Sequence, residues 1–238
     1  TNEDGVGVGD GTLISNLGAP GLNGTFMVKL LEGQPLGQIW GFDIDENDIV
    51  NDAGNWNLLD VDGDGTFCDC EDDKRVIGNG VPNFEFGLNN SFKFGNIDFN
   101  FFLRGVFGHD LVNTFRTFYQ NPNAISSYNV LESAQELVDA GLTTTDNRFS
   151  DYQVESASFV KLDNASVGYT LDLPESSDFS KIRFFLTGQN LFVITDYSGV
   201  DPEVRYGDPD GGSLAPGIDR RNTWFRTQAY TFGVQVGF

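Results

Sequence analysis

Along much of this chain, apolar and polar residues alternate with a period of two. In residues 228–238, Tyr230, Phe232, Val234, Val236 and Phe238 alternate with Thr231, Gly233, Gln235 and Gly237. Such alternation predicts a strand with one apolar and one polar face. Seven stretches read as strands: residues 25–31, 36–43, 83–94, 97–108, 158–171, 182–194 and 228–238. In the third, Phe84, Phe86, Leu88, Phe92 and Phe94 alternate with Glu85, Gly87, Asn89, Ser91 and Lys93. In the fourth, Ile97, Phe99, Phe101 and Leu103 alternate with Asp98, Asn100, Phe102 and Arg104. A water-soluble sheet hides its apolar face against a core. A transmembrane barrel turns that face to lipid and keeps small and polar groups inside.

The connections favour the barrel. Residues 32–35, 95–96 and 172–181 are short and rich in Gly, Pro, Asn and Ser, the residues turns require. Residues 44–82, 109–157 and 195–227 are far longer than the ~4–6 residues usual between elements. In an up-and-down sheet, the short turns fall at one end and the long loops at the other, as in outer-membrane barrels. The expected fold class is therefore all-β, an antiparallel up-and-down transmembrane β-barrel. Counted back from residue 238, strand 25–31 runs toward the periplasm and starts outside. A bacterial barrel has an even strand number with both ends in the periplasm. About seven carboxy-terminal strands of a larger barrel are thus expected, with residues 1–238 as one such part. One short helix is predicted in the second long loop, at 130–140, where Leu131, Ala134, Leu137 and Val138 have helical spacing and Gly141 ends it.

Composition narrows this picture. No run approaches the ~20 apolar residues of a membrane helix, which leaves strands as the spanning element. The 29 Gly and 22 Phe fit tilted strands with close backbone approach and aromatic girdles. A net charge of −21 argues against nucleic-acid binding, since no basic patch exists to displace counterions from phosphates.

Candidate chemistry concentrates in the first long loop. From Asp60 as position 1, Asp62 is 3, Asp64 is 5, Gly65 is 6, Thr66 is 7 and Glu71 is 12, the D-x-D-x-D-G-x5-E pattern of a calcium loop. Asp60, Asp62, Asp64, Thr66 and Glu71 are the expected ligands of a structural Ca2+, with Asp72 or Asp73 as alternatives for the last. Three carboxylates this close repel one another without a cation; a solvated acidic turn is the other reading. Phe67 at position 8 is bulkier than usual, and no helices flank the loop. Cys68 and Cys70 are too few soft ligands for a structural zinc site and read as free or locally paired thiols. The single histidine, His109, has no nucleophile in local context, so no enzyme is expected.

Several stretches, in order along the chain, resemble motifs of one family. F-V-K-L-D-N-A-S-V-G-Y-T-L-D-L-P (159–174) resembles the "SFxRLxNxxLGYxLP" signature of SusC/RagA-type TonB-dependent transporters. G-Q-N-L-F-V-I-T-D-Y-S-G-V-D-P-E (188–203) resembles their "GxNLFxxTxYxGxDPE" motif. D-V-D-G-D-G (60–65) with R-V-I-G-N-G-V-P-N-F-E-F-G (75–87) resembles a third segment, departing from it at Lys74-Arg75 and in the insert that holds both cysteines. The resemblance implies an outer-membrane importer of a large nutrient, oligosaccharide or peptide. It also implies a SusD-like lipoprotein lid, TonB acting through an amino-terminal plug absent from these residues, and Phe238 as a signal to the barrel-assembly machinery. Glu85, Asn89, Lys93, Asp98, Asn100, Arg104, Arg183 and Gln189 would line the lumen. Trp56, Tyr119, Tyr128, Tyr206 and Trp224 are candidates for stacking on sugars. The competing reading is a soluble, calcium-stabilised β-sandwich that binds carbohydrate.

Overall fold

The computed structural model describes residues 11–144, 146–204, 212–221 and 224–238. In chain order its elements are β1 (Thr12–Asn16), β2 (Phe26–Leu30), β3 (Gln38–Phe42), β4 (Lys74–Asn79), β5 (Phe84–Phe94), β6 (Ile97–Phe107), β7 (Asp110–Asn113), α1 (Thr114–Tyr119), α2 (Ala134–Asp139), β8 (Val154–Ser156), β9 (Phe159–Asp172), β10 (Lys181–Thr195), β11 (Ile218–Asp219) and β12 (Ala229–Gly237). The chain divides into two compact units. One takes the described residues of Thr1–Pro82, Gly108–Ala157 and Tyr197–Thr223; the other takes Asn83–Phe107, Ser158–Asp196 and Trp224–Phe238.

The second unit is one antiparallel sheet in the order β12-β10-β9-β6-β5. These are the strands expected at 228–238, 182–194, 158–171, 97–108 and 83–94. Gly95, in the left-handed region at φ 59°, lets β5 turn directly into β6. That turn and the 173–180 connection lie at one end of the sheet, and both long connections leave from the other. No barrel closes among the described residues, and β5 and β12 are its edges.

The first unit departs from expectation. Strands do form near 25–31 and 36–43, but β2 and β3 pair with β1 and β4 in a separate four-stranded sheet. The long sheet therefore has five strands rather than about seven, and β5 is the first of them. The reason lies in local burial. Met27, Val28 and Lys29 are consecutive buried residues, as are Gly41 and Phe42, so β2 and β3 present no uncovered apolar face. Met27, Val28 and Ile39 instead join Leu17, Leu22, Val112, Phe118, Phe149 and Ile218 in a closed core. The long loops are thus a packed globule, completed by β7, β8 and β11. The expected 130–140 helix is shortened to α2, because the Leu131 amide donates to the Tyr119 carbonyl (2.7 Å) before the helix starts.

Candidate functional site

The register of the five-stranded sheet sorts its side chains into two surfaces. One crosses the sheet in rows such as Phe94–Ile97–Tyr169–Phe184–Val234 and Phe92–Phe99–Val167–Leu186–Phe232. It is uncovered: Phe94 is 72% exposed, Phe232 69% and Phe84 59%. In the sandwich reading this face would be hidden against a core. The opposite surface carries Lys93, Asp98, Asn100, Arg104, Arg183 and Gln189, with Glu85 and Asn89, so the expected lumen-lining set does share one face.

Charges on that face are paired side to side. The Arg183 guanidinium donates through Nε to Asp98 Oδ2 (2.9 Å), reaching from β10 to β6 across β9. It crosses at Gly168, where a Cβ would lie 2.4 Å from Arg183 Nη2 and 2.5 Å from Asp98 Oδ2. Arg104 and Lys161 hold Asp163 in the same way, at 2.8 and 3.4 Å. Glycine and aromatic rings are also matched across strands. Phe185 covers Gly233, Phe102 covers Gly87 and Phe86 covers Gly105, so rings shield backbone that lacks a side chain.

The family-like motifs serve as structural devices. Asn190 adopts φ 52°, which Asn tolerates better than most residues, at the bulge where the β10–β9 register slips between Gln189 and Phe192. Its Nδ2 donates to the Thr227 carbonyl (3.1 Å). Tyr197 is buried, its hydroxyl donating to Asp219 Oδ2 (2.8 Å); burial and the neighbouring Asp219 charge push that phenol well up. The Ser198 amide and hydroxyl both donate to Glu155, which also pairs with Arg116 (3.0 Å). Burial opposes the charge on Glu155, but these donors outweigh it and hold its carboxyl below the usual range. Sequence patterns missed this network because its members lie far apart in the chain. His109 is buried, with Nε2 3.3 Å from the Pro202 carbonyl.

The acidic loop is drawn together differently from the expected pattern. Carboxylate oxygens of Asp60, Asp62 and Asp73 lie within 4.8 Å of one another; Asp64 and Glu71 are outside this group. Asp60 accepts from the amides of Gly63 and Gly65 (both 2.7 Å), and Asp64 from that of Thr66 (2.8 Å). Glu71 turns away because stronger partners claim it: Lys74 Nζ at 2.6 Å, Trp40 Nε1 at 2.9 Å and Lys29 Nζ at 3.7 Å. Burial alone would raise Glu71, but Lys74, Trp40 and Lys29 keep its carboxyl below the usual range. Asp73 accepts from the Cys68 and Val61 amides, chiefly the former, which lowers its pKa. A hydrogen bond from the Asp64 amide favours ionised Asp62, yet desolvation and repulsion from Asp64, Asp60 and Asp73 leave its pKa raised. Three converging carboxylates, Asp62 among them with a raised pKa, could hold a hard dication. Cys68 and Cys70 are bonded to each other, and so are locally paired.

A second carboxyl pair fastens β3 to residue 151. Ile44 donates its amide to Asp151 Oδ1 (3.1 Å), while Asp43 is ion-paired with Arg75. Burial, then the hydrogen bond and charge of Asp43, push the Asp151 carboxyl up to about 7. A carboxyl raised on folding contributes stability that is complete below its unfolded pKa and lost as pH rises through its folded value. The thermal midpoint of this unit should therefore fall as pH rises from about 4 to about 7. Asp151→Asn should exceed the parent above pH 7 and match it at acid pH; parallel pH profiles for the two proteins would contradict this.

Of the aromatic candidates, Trp56 packs on Tyr152 (5.7 Å) and donates to the Asp146 carbonyl, and Tyr119 packs on Tyr128 (5.7 Å). Trp224 is 89% exposed beside Phe225, and Tyr206 lies outside the described residues.

Outer-membrane barrel walls have one apolar and one polar face and short turns at one end, features that this open five-stranded sheet shares. Comparison with known proteins agrees. The chain is homologous to TonB-dependent receptors: it is 28% identical over 212 residues to TonB-dependent receptor P3 of Formosa agariphila, and 29% over 187 residues to TonB-dependent receptor SusC of Bacteroides thetaiotaomicron. These matches take in 79% and 76% of this chain but 19% and 17% of the relatives, so the chain spans about a fifth of their length. The relatives are named as receptors, in keeping with the expectation that the chain is not an enzyme. The RagAB peptide transporter shares the fold, with a TM-score of 0.71 and 16% identity over 89% of this chain and 24% of that one; the RagAB peptide importer in its closed-closed state gives 0.61 and 18% over 89% and 26%. No family model matches.

Proposed function

We propose that this chain forms part of the wall and outer face of a TonB-dependent outer-membrane importer of a large nutrient, an oligosaccharide or a peptide. The observation that carries this reading is the continuous uncovered apolar face of the five-stranded sheet. Water penalises such a face at about 25 cal/mol per Å² of apolar surface, whereas lipid does not. In this reading the apolar face meets lipid, and the ion-paired face meets the lumen and a plug on which TonB acts. The turns at 95–96 and 173–180 are periplasmic. A SusD-like lipoprotein lid would be the partner of the assembled importer. Edges β5 and β12 would pair with further barrel strands, because open edges are not viable in lipid. Exposed Phe238, tilted against the Phe179 ring with centroids 5.2 Å apart, suits the assembly machinery's recognition of a terminal aromatic.

The test is fractionation of cells making the full-length receptor that contains this chain. Recovery in the outer membrane, as a heat-modifiable barrel that copurifies with a lipoprotein, is expected. A folded protein in the aqueous fraction would overturn the reading.

Ca2+ would brace the acidic loop through Asp60, Asp62 and Asp73, with Asp64 and Thr66 nearby; the convergence of carboxylates and the raised Asp62 support this. Calcium should raise the thermal midpoint of the parent but not of Asp62→Ala, whereas Glu71→Gln should keep the response. A response lost in Glu71→Gln and kept in Asp62→Ala would restore the twelfth-position ligand instead.

A further inference from the structure

Two half-buried cysteines, Cys68 and Cys70, are bonded to each other across a single residue, Asp69. The bond sits within residues 59–73, which form no helix or strand between β3 and β4. Side chains rather than ladder hydrogen bonds therefore set the course of this segment. Buried Asp73 is its hub, taking the Val61 amide on Oδ1 (2.9 Å) and the Cys68 amide on Oδ2. Just ahead of the bond, the Phe67 ring meets Phe42 of β3 edge-on, with centroids 5.3 Å apart. Between the sulfurs, Asp69 pairs with Arg148 Nη2 (3.3 Å), while Arg148 Nη1 donates to the Asn147 carbonyl (3.0 Å). The bond thus joins two attachments, one from the Cys68 amide to Asp73 and one from Asp69 to Arg148. With one residue between the sulfurs, closing the ring sets the direction of both at once.

A disulfide stabilises a whole fold least when its ring is shortest, because little freedom is removed from the unfolded chain. A bond across a single residue is at that limit, so its effect is local. The Asp69–Arg148 pair has an exposed carboxylate and is weak on its own; it depends on Asp69 being held in place. Sulfurs that are half-buried rather than sealed stay within reach of a small thiol.

We infer that the Cys68–Cys70 bond is a reversible redox clasp on the acidic loop. Closed, it docks the loop on Arg148 and keeps the Cys68 amide on Asp73. Opened by a dithiol, it releases both. The opening step is thiol–disulfide exchange. One thiolate of the reductant attacks a cysteine sulfur, forming a mixed disulfide and expelling the other cysteine as a thiolate, which takes up a proton. The second thiolate of the reductant then displaces the first cysteine, which is protonated in turn, and the reductant leaves as a cyclic disulfide. The protein gains two electrons and two protons, and the dithiol loses the same. Neither import nor a bound cation enters this step.

The experiment is hydrogen exchange, read by mass spectrometry, on the purified full-length receptor in detergent with a calcium chelator present. Dithiothreitol opens the bond and oxidised glutathione closes it again. After reduction, the Cys68 amide should exchange about ten- to a hundredfold faster, the range for losing a hydrogen bond to a carboxylate. Strands β5, β6, β9, β10 and β12 should keep their rates, and reoxidation should restore slow exchange at Cys68. The double variant Cys68→Ser/Cys70→Ser should exchange at the reduced rate with or without dithiothreitol. Should that variant not fold, the reduction and reoxidation cycle on the parent decides by itself. Three results would overturn the inference. Cysteines that alkylate before any reductant is added would remove the bond. Exchange at Cys68 unchanged by reduction would remove its influence. Protection lost throughout the globular unit would make the bond a structural staple instead of a clasp.

Discussion

Phe232→Arg is expected to destabilise the full-length receptor in phospholipid vesicles by about 2–4 kcal/mol, while Thr231→Arg, one residue away, changes it little. The two positions are neighbours in β12 but face opposite ways. Phe232 sits in the row Phe92–Phe99–Val167–Leu186–Phe232, with apolar groups on every strand. Thr231 lies opposite Thr187, whose hydroxyl donates to Ser166 (2.8 Å) on the polar face. If lipid covers the first face, a guanidinium there must be buried in hydrocarbon or drag water and headgroups inward. If water covers it, replacing a 69% exposed phenyl ring by a charge relieves an unfavourable contact and costs almost nothing. The pair therefore measures the solvent directly. Denaturant unfolding of both variants in vesicles decides it, and equal stabilities would remove the membrane assignment.

The alternation that locates these positions was legible in the sequence because a strand with one uncovered apolar face and one polar face obeys period two over most of its length. β5, β6, β9, β10 and β12 are of that kind, and their expected bounds agree to within a residue or two. The pattern loses this power where a strand is buried on both sides. Residues 25–31 and 36–43 read as two more barrel strands because Phe26, Met27, Val28 and Ile39, Trp40 are apolar in the same proportions. Only tertiary packing reveals that β2 and β3 belong to a closed core. The same limit applies to the acidic loop. Spacing puts Glu71 at position 12, with Asp72 or Asp73 as alternatives, but Lys29 and Trp40, more than thirty residues upstream, hold the Glu71 side chain, and it is Asp73 whose carboxylate lies near Asp60 and Asp62. Local spacing cannot register a competing partner contributed by another strand. The ordered motifs fared better as identifiers than as functional sites. Asn190 and Tyr197 shape a bulge and a buried network, duties that depend on backbone geometry rather than on any ligand.

One of those motif residues gives the second large effect: Gly80→Ala should destabilise the globular unit by about 3 kcal/mol, the upper end of overpacking penalties. Gly80 lies where three chain segments meet. Its amide donates to the Gly37 carbonyl (2.9 Å), and a Cβ on it would stand 2.2 Å from the Pro216 oxygen and 2.7 Å from the Gly217 Cα. These neighbours are backbone, so no rotamer change can relieve the clash and the 216–217 segment must move. That segment carries the hydrogen bond from the Val112 amide to the Gly217 carbonyl (2.8 Å) and leads into the Ile218↔Val112 pairing of β11 with β7. Displacing it withdraws Ala215 and Ile218, both buried, from the core. Gly18→Ala separates sterics from conformation: Gly18 has φ 63° but open space around its Cα, so only the left-handed penalty of about 1 kcal/mol applies. Thermal unfolding of the two variants should rank them in that order. Amide exchange should accelerate at Val112 in Gly80→Ala alone, while the five-stranded sheet refolds in detergent as before. A Gly80→Ala protein no less stable than Gly18→Ala would mean that the 216–217 segment yields freely, and that the junction does not hold β11 in place.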